Sequence, residues 1–526
     1  MQPNTVTSAS VSGTVCVTEY GAAGDGMTDD TDAIQAALSS GARQVLVPAG
    51  TFIITNALKP AAGQCLHIDG ELKVGDAVIQ ALTRDVAVGD SEVMVEDGSR
   101  YRVGQWVTLH DEQLPIHMIA WVESRSGETP THGAFYQTRR THAGNARITE
   151  ISGNTLKLDA SSARSYLVSE HGCLATQHSA ILVEHSHVRI CGTGIIDGNK
   201  HKQLDAGPHP LAGGGEDSRV GCGIKVEAAG ELTNITIEGI TVRNAILHNI
   251  SMGTHNNDVH PDSLVTESVI RNVCCLQSHD KNIVIGCCRD CSILNNLAAH
   301  AAYEDGIILH QVGDGNDRYA RRILIQGNRC IGNARMGLHV GANNREIFMA
   351  GNLCADNGTN LTINGDNCTS NGDVVSGCNG RLFRLEEHRP SALIAGRRIM
   401  VSHLTVTNSH GVGLGLSGED ITVSTGLISR ETAAAEPDND VGIAVVRGSA
   451  KDGFGGGLQP IIVLRQTDVF ADRVRISGVR VKGFRQGIRL APGARNVVLH
   501  DNDLDDNLVA CEIAESSWTQ PVSPPT

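Results

Sequence analysis

Two pairs of charged residues stand directly before short apolar segments near the middle of the sequence. Asp280 and Lys281 precede the run Asn-Ile-Val-Ile, and Glu304 and Asp305 precede Gly-Ile-Ile-Leu. Carboxyl groups held close together resist simultaneous ionisation, so one of a close pair tends to keep its proton. A carboxylic acid beside a carboxylate supplies the proton donor and the base that cleavage of a glycosidic bond requires. Asp280, Glu304 and Asp305 are therefore predicted to be catalytic.

These residues lie within a repeat that would bring them together. Each repeat has a Gly or an Asn before a short apolar strand, and successive repeats are separated by 26, 33, 24, 31 and 23 residues. The anchoring positions are Gly223, Asn249, Asn282, Gly306, Gly337 and Asn360. Short strands with one apolar face, closed by Asn or Gly, are typical of a solenoid whose coils bury a core only by stacking. The sequence thus predicts an all-β chain folded as a right-handed parallel β-helix. Its predicted inward ladder comprises Ile250, Ile283, Ile307, Leu338 and Leu361.

The same repeat predicts which side chains share a surface, because equivalent residues of successive coils lie about 4.8 Å apart. Corner positions before the inward strands, and outward positions within them, form columns rich in titratable groups. The residues predicted to bind substrate are Lys225, Glu227, His248, His279, Lys281, Tyr303, His310, Arg335 and His339. Extra residues in the two longest repeats, 254–262 and 311–322, are expected to form the walls of a groove. Solvated turn residues also populate solenoid corners, so the prediction depends on charged columns, histidines and insertions coinciding on the same coils.

The N-terminal segment carries a specific pattern. Residues 20–38 read YGAAGDGMTDDTDAIQAAL, and VLVPAGTF follows at residues 45–52. A Gly/Asp-rich turn, a short amphipathic helix near residues 32–38 and a β-rich run are expected here. This arrangement resembles the N-terminal entry of the pectate-lyase-like β-helix superfamily, in which the helix caps the open end of the coil. A calcium loop formed by Asp25, Asp29 and Asp30 is the alternative, but it lacks the ligand spacing of an EF-hand.

Within that superfamily, the nearest local resemblance is to polygalacturonase-type glycoside hydrolases. Their paired-carboxylate motif precedes an inward strand of the central coil, and Glu304 and Asp305 match it. Their Asn-Thr-Asp motif corresponds to His-Asp-Lys at residues 279–281. Their Gly-His-Gly histidine corresponds to Ala-Arg-Met at residues 334–336, with His339 three residues later. The resemblance therefore covers the fold and one motif of three, and it does not specify the sugar.

The repeat is interrupted early in the chain. Two strand-turn-strand patterns between residues 83 and 160 predict a small β subdomain inserted between early coils. The predicted organisation is a cap with the first coils in residues 1–82, the insertion in 83–160, and the β-helix with its groove and C-terminal coils in 161–526. The polar middle of the insertion holds His110, His117, Trp121, His132 and Tyr136. This loop is a candidate to overhang the groove, and a plain surface insertion is the alternative.

The composition limits the partners. The 526 residues carry a formal net charge of −15, and 3% of them are aromatic. The negative charge argues against nucleic acid or an anionic membrane as the main partner, and no apolar run is long enough to span a bilayer. The expected partner is a polysaccharide or oligosaccharide. Trimers are common among solenoids of this type, so a homotrimer is an alternative to a monomer by analogy.

The cysteine pattern argues against a metal site. The sequence contains 15 cysteines, several of them clustered between residues 274 and 291 without the separated CxxC pairs of a zinc site. We interpret them as reduced core residues, and we expect no metal and no cofactor, with a bound Ca²⁺ left open. Free thiols favour a cytoplasmic location, as does the lack of a basic and then apolar stretch in the first twenty residues. Secretion is the alternative.

The preferred function is hydrolysis of a glycosidic bond. Glu304 or Asp305 would act as the general acid, with its pKa raised by the neighbouring carboxylates. Asp280 would orient the attacking water, and Lys281 would keep one carboxylate ionised.

Two other functions remain open. In a polysaccharide lyase or C5-epimerase, Arg335 or Lys281 would neutralise a uronate carboxylate, and Tyr303, His279 or His310 would remove the C5 proton. A non-catalytic solenoid such as a tail-spike shaft would bind a sugar without cleaving it. The low aromatic content slightly favours this third function, whereas the clustered titratable residues oppose it.

Overall fold

The parallel β-helix predicted from the repeat is confirmed. The computed structural model describes residues 13–111, 144–162, 165–203, 221–253, 263–302, 304–310, 319–378, 390–431, 440–446, 471–513 and 518–519. Within these ranges the strands form a twelve-stranded sheet, a 28-stranded sheet (the long sheet) and a six-stranded sheet.

The twelve-stranded sheet takes one strand from each coil, and all its pairings are parallel. Its strands are Ile181–Val183, Ile224–Val226, His248–Met252, Lys281–Ile285, Ile307–Leu309, Met336–Val340, Thr359–Ile363, Ala392–Ile394, Leu414–Leu416, Val441–Val445, Gln486–Leu490 and Val509–Ile513.

The long sheet forms the other sides of the coils, with as many as three short strands per coil. Its strands are Thr14–Cys16, Asp25–Asp29, Gln44–Val47, Thr51–Ile54, Cys65–Ile68, Glu71–Val74, Arg189–Gly192, Ile195–Asp197, Glu231–Thr233, Thr236–Glu238, Thr241–Arg243, Leu264–Thr266, Val269–Arg271, Cys274–Leu276, Cys288–Arg289, Ser292–Leu294, Leu297–Ala299, Arg321–Gln326, Arg329–Ile331, Arg345–Ala350, Leu353–Asn357, Thr369–Asn371, Val374–Cys378, Arg397–Thr407, Glu419–Ser429, Asp472–Lys482, Arg495–His500 and Trp518–Thr519.

The predicted inward ladder is confirmed in both register and burial. Ile250 pairs with Ile283, Ile283 with Ile307, Ile307 with Leu338, and Leu338 with Leu361. All five side chains are buried in one continuous apolar core that runs along the solenoid. The repeat alignment therefore gives the correct vertical register for the central coils.

An antiparallel sheet with its own apolar cluster interrupts the early coils. Its strands are Ile79–Ala81, Glu92–Met94, Trp106–His110, Gly144–Ser152, Thr155–Leu158 and Cys173–Thr176. The segment predicted as an insertion, residues 83–160, lies within this range. Of the loop residues singled out in the sequence, His110 is buried at the end of a strand. The others, His117, Trp121, His132 and Tyr136, lie outside the described residues.

The N-terminal pattern forms the expected cap. The α-helix Thr31–Leu38 buries Ile34 and Leu38 against the core of the first coils. Asp30, before the helix, is buried and accepts hydrogen bonds from the backbone N–H groups of residues 23 and 24, at 2.6 and 3.2 Å. Gly24 has a positive φ of 63°, and a Cβ there would come within 2.7 Å of the Phe52 ring. The Gly/Asp-rich segment thus serves close backbone packing. Four 3₁₀ turns, Val17–Tyr20, Gly98–Arg100, Val168–Glu170 and Lys200–Lys202, complete the helical elements of the described residues.

Buried asparagines link successive coils beside the twelve-stranded sheet. The side-chain amide of Asn249 donates to Asn282 Oδ1 at 2.8 Å, and that of Asn282 donates to Asn333 Oδ1 at 2.9 Å. Asn333 continues the chain to Asn357, and Asn357 to Asn360, each at 2.8 Å. These five residues form what we term the asparagine ladder. Each amide also donates to a backbone carbonyl, so the ladder provides hydrogen-bond partners for carbonyl groups in the turns of the coils.

The ladder explains why glycine anchors two of the coils. A Cβ at Gly306 would lie 2.6 Å from Asn333 Nδ2, and a Cβ at Gly337 would lie 2.6 Å from Asn357 Nδ2. Where the anchoring residue is itself an asparagine, its own side chain joins the ladder. Where another residue supplies the amide, the anchoring position must have no side chain. The glycines at 306 and 337 therefore have the same steric cause, whereas a Cβ at Gly223 would collide with Val242 and the backbone carbonyl of Asn249.

The cysteines are free thiols, and most of them are buried. Cys275, Cys330 and Cys354 are stacked in one inward column with Val242 and Ala298. Burial raises the pKa of the Cys275 thiol well above its usual value. In the part of the chain that the structure describes, no group of three or more His, Cys, Asp or Glu side chains is placed to hold a metal ion. In the same part, no helix has the length and apolar character needed to cross a membrane.

We predict that Asn333→Ala destabilises the β-helix by about 3 kcal/mol, because it leaves buried polar groups without partners. The amide donates to Ala298 O and Asn357 Oδ1 and accepts from Ala301 N and Asn282 Nδ2. The midpoint of thermal or denaturant unfolding measures the loss.

The matched control is Asn371→Ala, since Asn371 is exposed and its side chain accepts only peripheral hydrogen bonds, such as one from Ser402. This variant should stay within about 0.5 kcal/mol of the parent chain. Equal unfolding midpoints for the two variants would contradict the structural role assigned to the asparagine ladder.

Candidate functional site

Four neighbouring coils place the candidate residues at one corner of the β-helix. The relevant strands are His248–Met252, Lys281–Ile285, Ile307–Leu309 and Met336–Val340, which pair in parallel in that order. His248 stands opposite Lys281 in this register. Stacking continues into the corner, because Glu304 N donates to Asp280 O and Arg335 N donates to Glu304 O, each at 3.1 Å. Asp280, Glu304 and Arg335 therefore form one column, as the repeat alignment predicts.

Two cations lie between the three predicted catalytic carboxylates. Lys281 Nζ is 2.7 Å from Asp280 Oδ2 and 2.9 Å from Glu304 Oε2. Arg335 Nη1 is 2.7 Å from Glu304 Oε2, and its Nε is 3.6 Å from Asp305 Oδ1. The arrangement is a chain of alternating charges that crosses three coils.

A histidine stands at each end of this chain. His248 Nδ1 is 3.5 Å from Asp280 Oδ2. His339 Nδ1 is 3.2 Å from Asp305 Oδ2, while Asp305 Oδ1 accepts a hydrogen bond from the backbone N–H of Met336 at 3.1 Å. A carboxylate partner at Nδ1 favours the tautomer whose proton is on Nδ1, which leaves the Nε2 lone pair available. His339 Nε2 has no hydrogen-bond partner among the described residues.

We term these seven residues the corner cluster: His248, Asp280, Lys281, Glu304, Asp305, Arg335 and His339. Six of them are buried, and Arg335 is the most exposed, with 18% of its side chain accessible. The expectation that the three carboxyl groups converge agrees with the contacts. The expectation that they line an open groove does not, because Asp305 is fully buried and Asp280 and Glu304 are nearly so.

The electrostatics differ from the expectation based on repulsion between neighbouring carboxylates. Burial alone would lower the pKa of Lys281, but Asp280 and Glu304 raise it well above its usual value. The pKa of Arg335 is likewise raised, since Asp305 and Glu304 outweigh its desolvation. Both cations therefore stay charged and separate the carboxylates, so like-charge repulsion is not the dominant force here. Burial lowers the pKa of His339, although Asp305 opposes this effect.

Lys225 and Glu227 form a separate ion pair. Lys225 occupies the same outward column as His339 but lies four coils away, or about 19 Å at the usual strand spacing. Its Nζ is 3.2 Å from Glu227 Oε2 and 3.1 Å from Ser251 Oγ, and both charged side chains are fully buried. Lys225 and Glu227 thus form a buried ion pair of their own, and the prediction that they help to bind substrate stays a prediction.

Two further predicted binding residues, His279 and His310, are half-buried, and each has an interaction partner. Tyr303 lies outside the described residues, as do most of the insertions expected to form groove walls.

Two polar residues beside His339 complete the site. Thr362 stands directly opposite His339 in the next strand, and Asn364 follows two residues later on the same outward face. The hydroxyl of Thr362 and both side-chain polar atoms of Asn364 are buried and have no hydrogen-bond partner among the described residues. Together with His339 Nε2 they form a buried polar group whose donors and acceptors have no partner among the described residues. The repeat alignment already places Thr362 one coil after His339, but its residue type carries no catalytic signal.

Comparison with known proteins supports the fold. Residues 14–103 match the family model described as rhamnogalacturonase A/epimerase, pectate lyase-like. This match confirms the resemblance of the N-terminal segment to the pectate-lyase-like superfamily. No curated protein matches the chain by sequence.

Three solved structures are similar to this chain at low sequence identity. Pre-mature gene product 12 of bacteriophage phi29 is 15% identical, with a TM-score of 0.55, over 96% of this chain and 56% of that one. The family 28 exopolygalacturonase of Yersinia enterocolitica is 12% identical, with a TM-score of 0.46, over 98% and 79%. The A-module of the mannuronan C-5 epimerase AlgE6 of Azotobacter vinelandii is 13% identical, with a TM-score of 0.46, over 97% and 100%. At these identities the likeness shows the fold alone.

We predict that Lys281→Met destabilises the protein by about 3 to 5 kcal/mol at neutral pH, because it leaves Asp280 and Glu304 buried without the cation that they share. The loss should shrink as the pH falls, since protonation of the two carboxyl groups removes the uncompensated charge. Thermal unfolding midpoints measured from neutral to acidic pH follow both effects.

Arg322→Met is the matched control, because Arg322 makes an ion pair of similar length with Asp290, but both side chains are more than 40% exposed. Its effect should not exceed about 1 kcal/mol. A loss for Lys281→Met that is equally small, or that does not depend on pH, would show that the buried ion pairs do not form.

Proposed function

We propose that the chain is a polysaccharide-acting enzyme of the glycoside hydrolase type and that the corner cluster is its catalytic site. The observation that carries this proposal is the burial of four formally charged side chains on two neighbouring coils, with Arg335 largely buried on the next. Buried ion pairs are generally no more stabilising than well-packed apolar residues of similar volume. A solenoid that needed only stability would therefore fill this corner with apolar side chains, and clustered titratable groups indicate a functional site.

The charge balance of the cluster suits a general acid. Among the described residues of the cluster, three carboxylates face two cations, which leaves one carboxylate more than cations when the histidines are neutral. A buried group of this kind favours uptake of one proton, which makes the cluster neutral. Because Lys281 contacts both Asp280 and Glu304, protonation of either leaves the ammonium paired with the other. We therefore assign protonation of the leaving glycosidic oxygen to this carboxyl pair.

The base is His339. Its Nδ1 contacts Asp305 Oδ2, and its Nε2 has no hydrogen-bond partner among the described residues. Burial favours its neutral form. These are the properties of a group that accepts a proton from an attacking water. Asp305 thus acts as a positioning residue for His339 and not as the general acid expected from the sequence.

The charge of the site favours hydrolysis over elimination. When the carboxyl pair gives up its proton, the pair itself becomes more negative at the same moment that positive charge develops on the sugar ring. The same negative charge would oppose the carbanion-like state of C5 proton removal. Lys281 and Arg335 are already engaged with carboxylates, so they are poorly placed to neutralise a uronate. The proposed chemistry uses proton transfer only and requires no cofactor.

The comparisons support the proposed substrate class. The family model that matches residues 14–103 is described by names of polysaccharide-acting enzymes. This match covers the cap and the first coils, whereas the corner cluster lies in later coils. The proposal of hydrolysis therefore depends on the geometry of the cluster.

We expect Asp280→Asn, Glu304→Gln and His339→Gln each to lower the release of reducing ends by 10²- to 10⁴-fold, the usual contribution of a general acid or base. A panel of neutral glycans, bacterial exopolysaccharides and uronates, assayed for reducing ends and for the ultraviolet absorbance of unsaturated ends, identifies the reaction. Asp290→Asn is the control, since Asp290 is exposed and pairs with Arg322 outside the cluster. Unsaturated products would show that the reaction is elimination and not hydrolysis. Binding without products would show that the solenoid is not catalytic.

We also expect a characteristic pH profile. Only neutral His339 can accept a proton, so kcat/KM should rise with pH through a pKa below 6.5 and fall at lower pH. Asp305 raises this pKa, as Glu304 does, whereas burial and Arg335 lower it. Asp305→Asn should therefore move the acid limb of the profile to lower pH and also reduce the maximum. An acid limb that stays in place in this variant would exclude His339 as the base.

A further inference from the structure

A second group of reactive side chains lies on the outer face of the early coils, on the long sheet and away from the corner cluster. The strands Cys65–Ile68 and Arg189–Gly192 pair in parallel, with Arg189 opposite Cys65 and Cys191 opposite His67. Leu66 and the other inward residues of these strands fill the core. The side chains of Cys65, His67, Arg189 and Cys191 therefore project to the outer face.

The two thiols are in contact beside an open cavity. Cys65 Sγ is 3.5 Å from Cys191 Sγ, and Cys191 Sγ is 3.6 Å from His67 Nδ1. Cys65 is half-buried, whereas Cys191 is 4% exposed. The cavity has a volume of about 600 Å³, and its lining residues include Cys65, Cys191, Arg43 and Arg189. A small molecule can thus reach Cys65 from solvent.

The surroundings of Cys65 favour its thiolate. The contact with the Cys191 thiol and the positive charge of Arg189 lower the pKa of Cys65 to about 7, against the opposing effects of desolvation and Glu238. The contact with Cys65 and burial raise the pKa of Cys191, which favours its protonated form. Glu238 is itself bound to Arg189 at 2.5 Å, and His67 contacts Asp69 at 3.0 Å. These surroundings favour the thiolate of Cys65, which is the nucleophilic form of cysteine.

We propose that Cys65 is a site of covalent modification by small-molecule disulfides. The Cys65 thiolate attacks one sulfur of R–S–S–R, a Cys65–S–S–R bond forms as the S–S bond breaks, and R–S⁻ leaves and takes a proton from water. Cys191 keeps its proton throughout and serves as the hydrogen-bond donor to the attacking sulfur. The oxidant is the disulfide itself, so no other reactant is needed.

The geometry also determines the product. Cys191 stands opposite His67 and not opposite Cys65, so the two cysteines occupy diagonal positions of a parallel pair. Diagonal positions in a sheet lie about 7 to 8 Å apart, beyond the usual Cα separation of a disulfide. Closure to a Cys65–Cys191 disulfide would require a shift of the backbone. The mixed disulfide is therefore the stable product.

The experiment treats the full-length protein with glutathione disulfide and follows intact mass and peptide mapping. We expect one adduct, on Cys65, before any other cysteine reacts. Mapping of the unsubstituted protein locates the adduct without relying on the folding of a variant. Cys65→Ser should abolish the adduct, whereas Cys274→Ser, at another half-buried outward cysteine of the long sheet, should leave it unchanged.

Cys191→Ala tests the role of the donor. Without the thiol hydrogen bond, the pKa of Cys65 should return toward its usual value, so fewer thiolates form but each is a stronger nucleophile. The variant should react about threefold more slowly than the parent at pH 7 and about threefold faster at pH 9. A merely structural role for Cys191 would not produce this reversal. First reaction at another cysteine, formation of a Cys65–Cys191 disulfide, or equal rates at both pH values would overturn the proposal.

Discussion

The asparagine ladder fixes the position of each central coil relative to the next, and the placement of every residue in the corner cluster follows from it. Side chains alternate between the two faces of a strand, so a shift of one residue would exchange inward and outward positions. The bond from Asn282 to Asn333 passes the coil of Gly306, where a Cβ would collide with the amide. This contact places Glu304 and Asp305 between Lys281 and Arg335. The polar ladder and the charged corner are thus adjacent parts of one arrangement.

The corner cluster illustrates how ions can be buried in a solenoid. Lys281 lies between carboxylates of its own coil and the next, and Arg335 binds two carboxylates of the preceding coil, so each of these ions has a partner from a neighbouring turn. The backbone N–H of Met336 also binds Asp305. Desolvation of a charge is tolerated when opposite charges and hydrogen bonds replace the lost water. Among the described residues the cluster holds one carboxylate more than it holds cations, and this excess is the basis of the proton-donor role that we propose.

The sequence predicted the fold and the columns of the site better than their chemistry. The repeat intervals were enough to predict the inward ladder through Ile250 and Leu361, because strand alternation and coil stacking leave one consistent register. They did not predict burial, because exposure depends on how the rest of the chain covers an outward face. Lys225 was placed in the correct column and yet is fully buried in a different ion pair. The base role that we propose for His339 could not be predicted from the sequence either. It depends on the 3.2 Å contact with Asp305 and on side-chain directions that a register does not specify.

The displacement of one carboxylate accounts for the difference between this corner and the motif that it resembles. In the polygalacturonase-type pattern the carboxylate comes last in Asn-Thr-Asp, whereas here Asp280 comes second and Lys281 takes the last position. Lys281 is the first residue of the strand Lys281–Ile285, and its ammonium contacts Asp280 in its own coil and Glu304 in the next. A neutral residue at this position would leave two carboxylates on adjacent coils to repel each other, and repulsion would then set their proton affinity. With Lys281 present, an ammonium bridges the two carboxylates, so they are not left to repel each other across adjacent coils.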